Sequence, residues 1–297
     1  MVQARESEAV EAARARPGFL AQLARGFTDL QSRIGAVALL SFLLLAVVAA
    51  IWQPDESSIS KDIYKAPSAA HLLGTDHLGR DVLLRIVAGA DNIIIVSFLA
   101  ALSAIALSSM LGALVAFHRG VLDQVTMRVI DVLLGFPTFL AALLVIAVLP
   151  SGYASIFLVV VIVTIPSVTR VTRAIFLHIF AQDYIAAAIL RGESRLSLLV
   201  REALPNAAGP LLVEFAVRWN FAVIIIASLN FLGVGVQPPT ADWGVMLFEA
   251  RSRLALAPWA ALAPAVALAA LAVSINFTAD GLSRALARRG LGRESAR

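Results

Sequence analysis

Six apolar stretches divide this chain: residues 34–52, 93–117, 129–150, 153–169, 211–232 and 258–279. A helix rises about 1.5 Å per residue, so crossing about 30 Å of hydrocarbon takes about 20 mostly apolar residues. Each stretch is near that length, and together they predict an all-α membrane bundle of six transmembrane helices in one domain. The second stretch is long enough to tilt. The fourth is the weakest and ends against Arg170 and Arg173. Pro137 lies inside the third and Pro264 inside the sixth; a proline frees a backbone carbonyl, so the third is expected to be a kinked span. The first stretch does not read as a cleaved signal sequence. Its 33-residue leader carries Glu6, Glu8, Glu11 and Asp29 among its arginines, where a signal peptide has a short basic lead.

Charge sits between the apolar stretches and sets an orientation. Of the 24 Lys and Arg residues, 17 fall in segments 1–33, 118–128, 170–206 and 280–297, and six in segments 53–92, 151–152 and 233–257. Cytoplasmic loops collect Lys and Arg, so both ends are expected in the cytoplasm. Trp52, Trp243 and Trp259 then fall near the outer interface, where amphipathic rings collect. The expected parts are a cytoplasmic tail 1–33, a first helix 34–52, an outer loop 53–92, a five-helix core 93–279 and a cytoplasmic tail 280–297. Composition agrees: 60% of residues are hydrophobic and 15% charged, with mean hydropathy +0.86. A soluble domain has about 45–50% apolar and about 25% charged residues. With no cysteine, disulfides, thiolate metal sites and thiol catalysis are excluded. A net charge of +4, scattered between apolar runs, predicts no nucleic-acid partner.

Three polar stretches carry the remaining information. Outside, residues 71–81 read HLLGTDHLGRD. Gly74, Thr75, Asp76 and Gly79 are turn formers, and Asp76 is expected to cap a helix over 78–88. His71 and His77 flank Asp76 in a pattern that suits nickel or zinc, but the turn-and-cap reading is preferred and no metal site is expected. His118 and His178 read as helix-end residues. Inside, 183–206 reads DYIAAAILRGESRLSLLVREALPN. Ala186, Ala187 and Ala188 favour a helix, Gly192 permits a sharp reversal, and Pro205 starts or precedes the next helix. The prediction is a short helix, a turn and a second short helix. It fits either an element docking in a groove on another protein or an ordinary amphipathic surface helix. Outside again, 231–244 reads FLGVGVQPPTADWG. Within the fifth span, Glu214 and Arg218 stand four residues apart, on one helix face where they can pair. Asp131 is expected to pair with Arg128. No phosphate-binding loop exists: the only lysines, Lys61 and Lys65, lack the flanking glycines.

The inner stretch resembles the cytoplasmic loop of ABC-importer permeases: Glu-Ala-Ala, three residues, Gly, nine residues, Ile, one residue, Leu-Pro. Ala187, Ala188, Gly192, Leu204 and Pro205 match in register; Ala186 stands for the Glu and Glu202 for the Ile. HLLGTDHLGRDVLLR and FLGVGVQPPTADWG are similar to the second permease of dipeptide, oligopeptide and nickel importers, and the resemblance covers roughly residues 70–285. It implies a type I ABC-importer permease fold in a bacterial inner membrane and a transport subunit with no catalytic residue. It also implies a homologous second permease, two cytoplasmic ATPases that bind ATP and Mg, and an extracytoplasmic substrate-binding protein. The loop holding Ala186, Ala187, Ala188, Gly192, Glu193, Leu204 and Pro205 would be the coupling element. Loss of the family Glu at 186 implies looser coupling, or compensation by Asp183 or Glu193. Glu214 and Arg218 would face the translocation path or the second permease, or form a self-neutralised pair reaching for the inner interface. Peptides are the implied cargo, with nickel chelates, glutathione and opines as alternatives. A secondary transporter would carry its own ion site and inverted repeats, and no such repeat is evident.

Overall fold

A computed structural model describes residues 29–52, 59–118 and 120–294, with side chains up to 286. Most of the tail expected over 1–33, the loop stretch 53–58 and the basic side chains after 286 lie outside the described residues. Ten helices carry the fold: α1 (Leu30–Trp52), α2 (Val82–Ala88), α3 (Ala90–His118), α4 (Val121–Leu134), α5 (Thr138–Ile146), α6 (Tyr153–Phe180), α7 (Asp183–Leu190), α8 (Leu204–Phe231), α9 (Trp243–Ala250) and α10 (Pro258–Glu294). No strand occurs among the described residues.

Helix α1 shows why the apolar runs look alike on every face. Ser32, Gly35, Leu39, Ala46 and Ala49 form one buried stripe. Ile34, Val37, Leu40, Leu44 and Ile51 remain exposed on the other side, as lipid contact allows. Helices in lipid gain little from burying leucine and pack through small residues that let backbones approach. Along α3, Ala100, Ala104, Ser108, Gly112 and Ala116 are buried at every fourth position. That stripe receives α6. Thr172 Oγ1 donates to the Ser108 carbonyl at 2.8 Å, and a Cβ on Gly112 would sit 2.3 Å from Thr172 Oγ1.

The third span departs from expectation. Instead of one kinked helix over 129–150, α4 and α5 meet at 86°. Pro137 has no N–H and disfavours the helical region for the residue before it, and Pro137 itself is extended at φ −55°, ψ 123°. The chain thus leaves the helix and re-enters it in a new direction. This bent pair still counts as a crossing. Asp29 at the start of α1 bonds Arg284 of α10 at 3.1 Å, which puts the two ends of the bundle on one side. Phe117 at the end of α3 and Phe180 at the end of α6 lie 5.3 Å apart, so both helices end on the same face. The α4–α5 segment must therefore cross between them, making six spans. The fourth span is longer than its apolar core suggests and runs to Phe180, with Arg170 and Arg173 on its last turns. Asp131 pairs with Arg170 across to α6, not with Arg128 on its own helix. Arg173 grips Asp123 of α4 with two bonds of 2.5 Å.

The tryptophans also differ from a simple interfacial belt. Trp52 is exposed, but Trp243 is fully buried, donates to the Ile86 carbonyl at 2.9 Å and meets Phe42 edge-on. Trp259 donates to the Thr75 carbonyl at 3.2 Å. Their polar N–H groups serve packing of the outer loop, a use open to any buried indole that finds an acceptor.

Candidate coupling and translocation sites

The inner polar stretch folds as a helix, a sharp reversal and a second helical arm. Helix α7 ends at Leu190, and Gly192 just beyond its cap takes φ +79°. The Gly192 N–H bonds the Ile189 carbonyl at 2.9 Å and the Glu193 N–H reaches back to Ala188 at 3.2 Å. This pair of bonds closes a helix on a left-handed residue, the conformation glycine adopts without a Cβ penalty. Ser194 caps the next turn, Arg195–Ser197, by accepting from the Ser197 N–H at 3.3 Å. The second arm is not a separate short helix, as expected. A π-helical stretch, Leu198–Ala203, carries it straight into α8. Pro205 and Pro210 lack the N–H groups that α-helical bonds to the preceding turn require, so the wider turn falls just before them.

The element is seated firmly. Ile185 of α7, Ala203 and Ala207 pack with Ala113 and Ala116 of α3 and with Phe176 and Ile179 of α6. The guanidinium of Arg195 lies 5.5 Å from the Phe117 ring centre and contacts His118 Nε2 at 3.3 Å. Ala188 is buried as part of this seat, while Ala186 and Ala187 are exposed. Beside them Ile189, Leu190, Leu196 and Val200 stand more than half exposed, with Leu190 at 89%. Such a ridge of apolar residues on a polar face is shaped to be covered. Leu204 is partly exposed beyond it and Pro205 starts α8. Glu193 pairs with Arg191 at 2.7 Å and accepts from Ser197 Oγ at 3.3 Å. The Arg191 hydrogen bond holds its carboxyl below the usual range. Glu193 is thus committed within the loop, whereas Asp183 is exposed at the α7 N-terminus, where its charge favours the helix dipole.

Glu214 and Arg218 do pair. Arg218 Nε and Nη2 both approach Glu214 Oε1 at 2.6 Å, and Nη1 reaches Ser167 Oγ of α6 at 3.3 Å. Their side chains are 14% and 18% exposed. Nearer the outer end of α8, a groove of about 490 Å³ opens between α8 and α10, lined by residues such as Val223, Ile224, Phe231 and Leu268. It has no charged lining residue.

The outer motif is structural throughout. Asp76 Oδ1 accepts from the backbone N–H of Leu78 at 2.8 Å and of Arg80 at 2.9 Å, folding the loop on itself. The helix cap is Asp81, not Asp76: Asp81 Oδ1 accepts from Leu83 and Leu84 at the start of α2, and its Oδ2 bonds His71 Nδ1 at 2.9 Å. Asp76 Oδ2 instead joins a buried tetrad. It takes bonds from Arg80 Nε at 2.6 Å and Arg85 Nη1 at 2.7 Å, and both arginines also grip Glu249 of α9. Burial pushes the Asp76 carboxyl up, but the Arg80 and Leu78 N–H groups and the two guanidiniums outweigh it and hold it below its ordinary value. Asp76, His77 and Glu249 each bring a ligand atom within 4.8 Å of the others, yet two arginine cations already occupy both carboxylates. This arrangement neutralises the site without a metal. Sequence reading missed Arg80, Arg85 and Glu249 as a unit; nothing local to HLLGTDHLGRD names a partner 169 residues away.

Residues 108–290 match the family described as binding-protein-dependent transport system inner membrane component. The chain belongs to that family. It is 35% identical over 258 residues to the glutathione transport system permease protein of Pectobacterium atrosepticum, covering 84% of this chain and 86% of that one. It is 33% identical over 261 residues to the dipeptide transport system permease protein of Haemophilus influenzae, covering 85% and 88%. A glutathione transport system permease protein of Escherichia coli is 36% identical over 252 residues, covering 82% and 83%. This family member is a multi-pass inner-membrane subunit of an ABC importer, with five helices long and apolar enough to cross and the bent α4–α5 pair as a sixth. The family match begins at Ser108, midway along α3, and so takes in the Ser108–Ala116 half of the small-residue seam with α6, the inner loop, α8, α9 and most of α10.

Proposed function

We propose that this permease forms, with a homologous second permease, the path by which small peptides cross the membrane after delivery by a binding protein. Two ATPase subunits, binding ATP and Mg, drive it from the side where the inner loop lies, which makes that side and both chain ends cytoplasmic. The observation that carries this reading is the loop 183–206. Its apolar ridge of Ile189, Leu190, Leu196 and Val200 is exposed, while its other face is packed onto the ends of α3 and α6. A body docked on the ridge moves those helix ends with it, because cores of this density transmit displacement instead of absorbing it. ATP-driven closure of the ATPases then favours one of two arrangements of the bundle, and the path opens to alternate sides. Peptides are the cargo by analogy with the dipeptide and glutathione systems of the relatives. The Ala at 186 leaves the ridge without the family carboxylate, and Asp183, one turn earlier on α7, supplies the negative charge there.

The test is purification with the co-encoded subunits in nanodiscs and measurement of peptide-stimulated ATP hydrolysis. Gly192→Pro cannot adopt φ +79° and breaks the reversal. The expected result is an assembled complex that hydrolyses ATP and loses peptide stimulation in the variant. An unaltered response in the variant, or transport that follows an ion gradient with no ATPase attached, overturns the reading.

A further inference from the structure

The geometry points to a binding site for the zwitterionic main chain of a peptide at Glu214 and Arg218, resting on the importer reading above. Within the apolar stretch 211–232 of α8, Glu214 and Arg218 stand about 5 and 11 Å from its inner end at about 1.5 Å per residue. Ionisable groups at that depth are costly and face protein or water, not lipid. The pair is left incomplete in a particular way. The Arg218 Nε hydrogen bond and the Nη2 ion-pair contact both fall on one oxygen, Oε1 of Glu214, and no bond is formed to Oε2 among the described residues. Arg218 Nη1 holds only the 3.3 Å contact to Ser167 Oγ. One carboxylate oxygen and one guanidinium nitrogen are therefore available, and both side chains keep some exposure.

A peptide with free ends brings an ammonium and a carboxylate, the complement of this pair. Its ammonium can bond Glu214 Oε2, and its carboxylate can displace Ser167 from Arg218 Nη1. Each of these is a charge-assisted bond, and an arginine prefers a carboxylate to a hydroxyl. Net charge in the path stays zero before, during and after passage, so the site does not trap its ligand as a lone buried charge would. The outer groove along α8 has only apolar and hydroxyl lining and gives the ends no such partner. The pair thus selects for free termini in the inner half of the path, separately from any selection by the binding protein.

The test uses the whole complex in proteoliposomes with its binding protein and labelled alanyl-alanine as the probe. Glu214→Gln with Arg218→Gln removes both charges without leaving either unpaired. Glu214→Arg with Arg218→Glu restores a pair in the opposite order. The expected result is a complex that still copurifies intact, with dipeptide imported per ATP hydrolysed reduced at least about tenfold in the double glutamine variant, which loses both charge-assisted bonds. The exchanged pair recovers at least half of the parent value. Unchanged import per ATP in the glutamine variant overturns the site. Loss of the second permease from the purified complex overturns it too, because the pair would then hold the subunit interface. If the unmodified complex shows no ATP-dependent import of alanyl-alanine, the importer reading fails first and separately.

Discussion

Replacing Glu249 by Gln tests what holds the outer loop. Glu249 accepts from Arg80 Nη2 at 3.1 and 3.0 Å and from Arg85 Nη1 at 2.7 Å. All four side chains of the tetrad are at least nine-tenths buried. The tetrad is neutral as it stands, and the substitution leaves it with one excess positive charge that water cannot reach. Breaking a buried pair in this way costs about 3–5 kcal/mol, most of it the desolvation of the stranded partner. The assay is unfolding of the purified complex followed by tryptophan fluorescence, since Trp243 and Trp259 both pack against this loop. A compensated variant, Glu249→Gln with Arg85→Met, restores neutrality and should regain at least half of the loss, because apolar replacement of a buried ion pair is often close to neutral. A single variant within about 1 kcal/mol of the parent, or a double variant less stable than the single, would refute the reasoning.

Three further outcomes follow. Gly112→Val places its Cβ 2.3 Å from Thr172 Oγ1 and 2.8 Å from the Arg173 backbone nitrogen, so α3 and α6 must part; a loss of about 1–3 kcal/mol is expected in thermal unfolding in nanodiscs. Asp242 caps α9 through Gly244 and Val245, and burial pushes its carboxyl up against the opposing pull of Asn230 and those two N–H groups. A raised acid favours the folded state fully below its ordinary value of 3.8 and loses that contribution as pH rises through the raised value. Asp242→Asn keeps the cap and removes the titration, so its stability relative to the parent should grow with pH; a difference that stays flat across the titration contradicts this. Asp76 carries the opposite sign: its lowered carboxyl stabilises the loop above 3.8 and releases it only as pH falls through the lower folded value. Protease cleavage of the outer loop should therefore stay constant at mildly acidic pH and rise only in stronger acid.

The sequence was most legible where local chemistry decides the outcome. Runs of apolar residues near span length place α1, α3, α6, α8 and α10, and the Gly192 reversal and the Glu214–Arg218 pair follow from spacing alone. The misreadings share a cause, which is that competing partners came from distant sequence. Asp76 sits where a cap is plausible, but Arg85 and Glu249 claim it and Asp81 takes the cap. Asp131 has Arg128 three residues away, yet Arg170 on α6 faces it. Trp243 looks interfacial until the Ile86 carbonyl is found beside its N–H. Pro137 signals a disturbance, but its size, a bend of 86°, depends on how α4 is held to α6 through Asp123 and Arg173.

That bend bears on how the subunit is made in the cell. Gly135, Phe136 and Pro137 are all exposed in the lone chain, where the helix is broken within a crossing. Hydrocarbon cannot satisfy the backbone groups that such a break releases, and irregular backbone persists in a bilayer only when protein or water covers it. On the two-permease arrangement proposed above, a newly inserted copy without its mate is thus an orphan with a built-in degradation mark. Its lifetime should depend on the rate at which the second permease arrives, which ties the abundance of the two subunits together without any regulatory protein. A pulse-chase comparison of the chain produced alone and together with the second permease would measure that dependence.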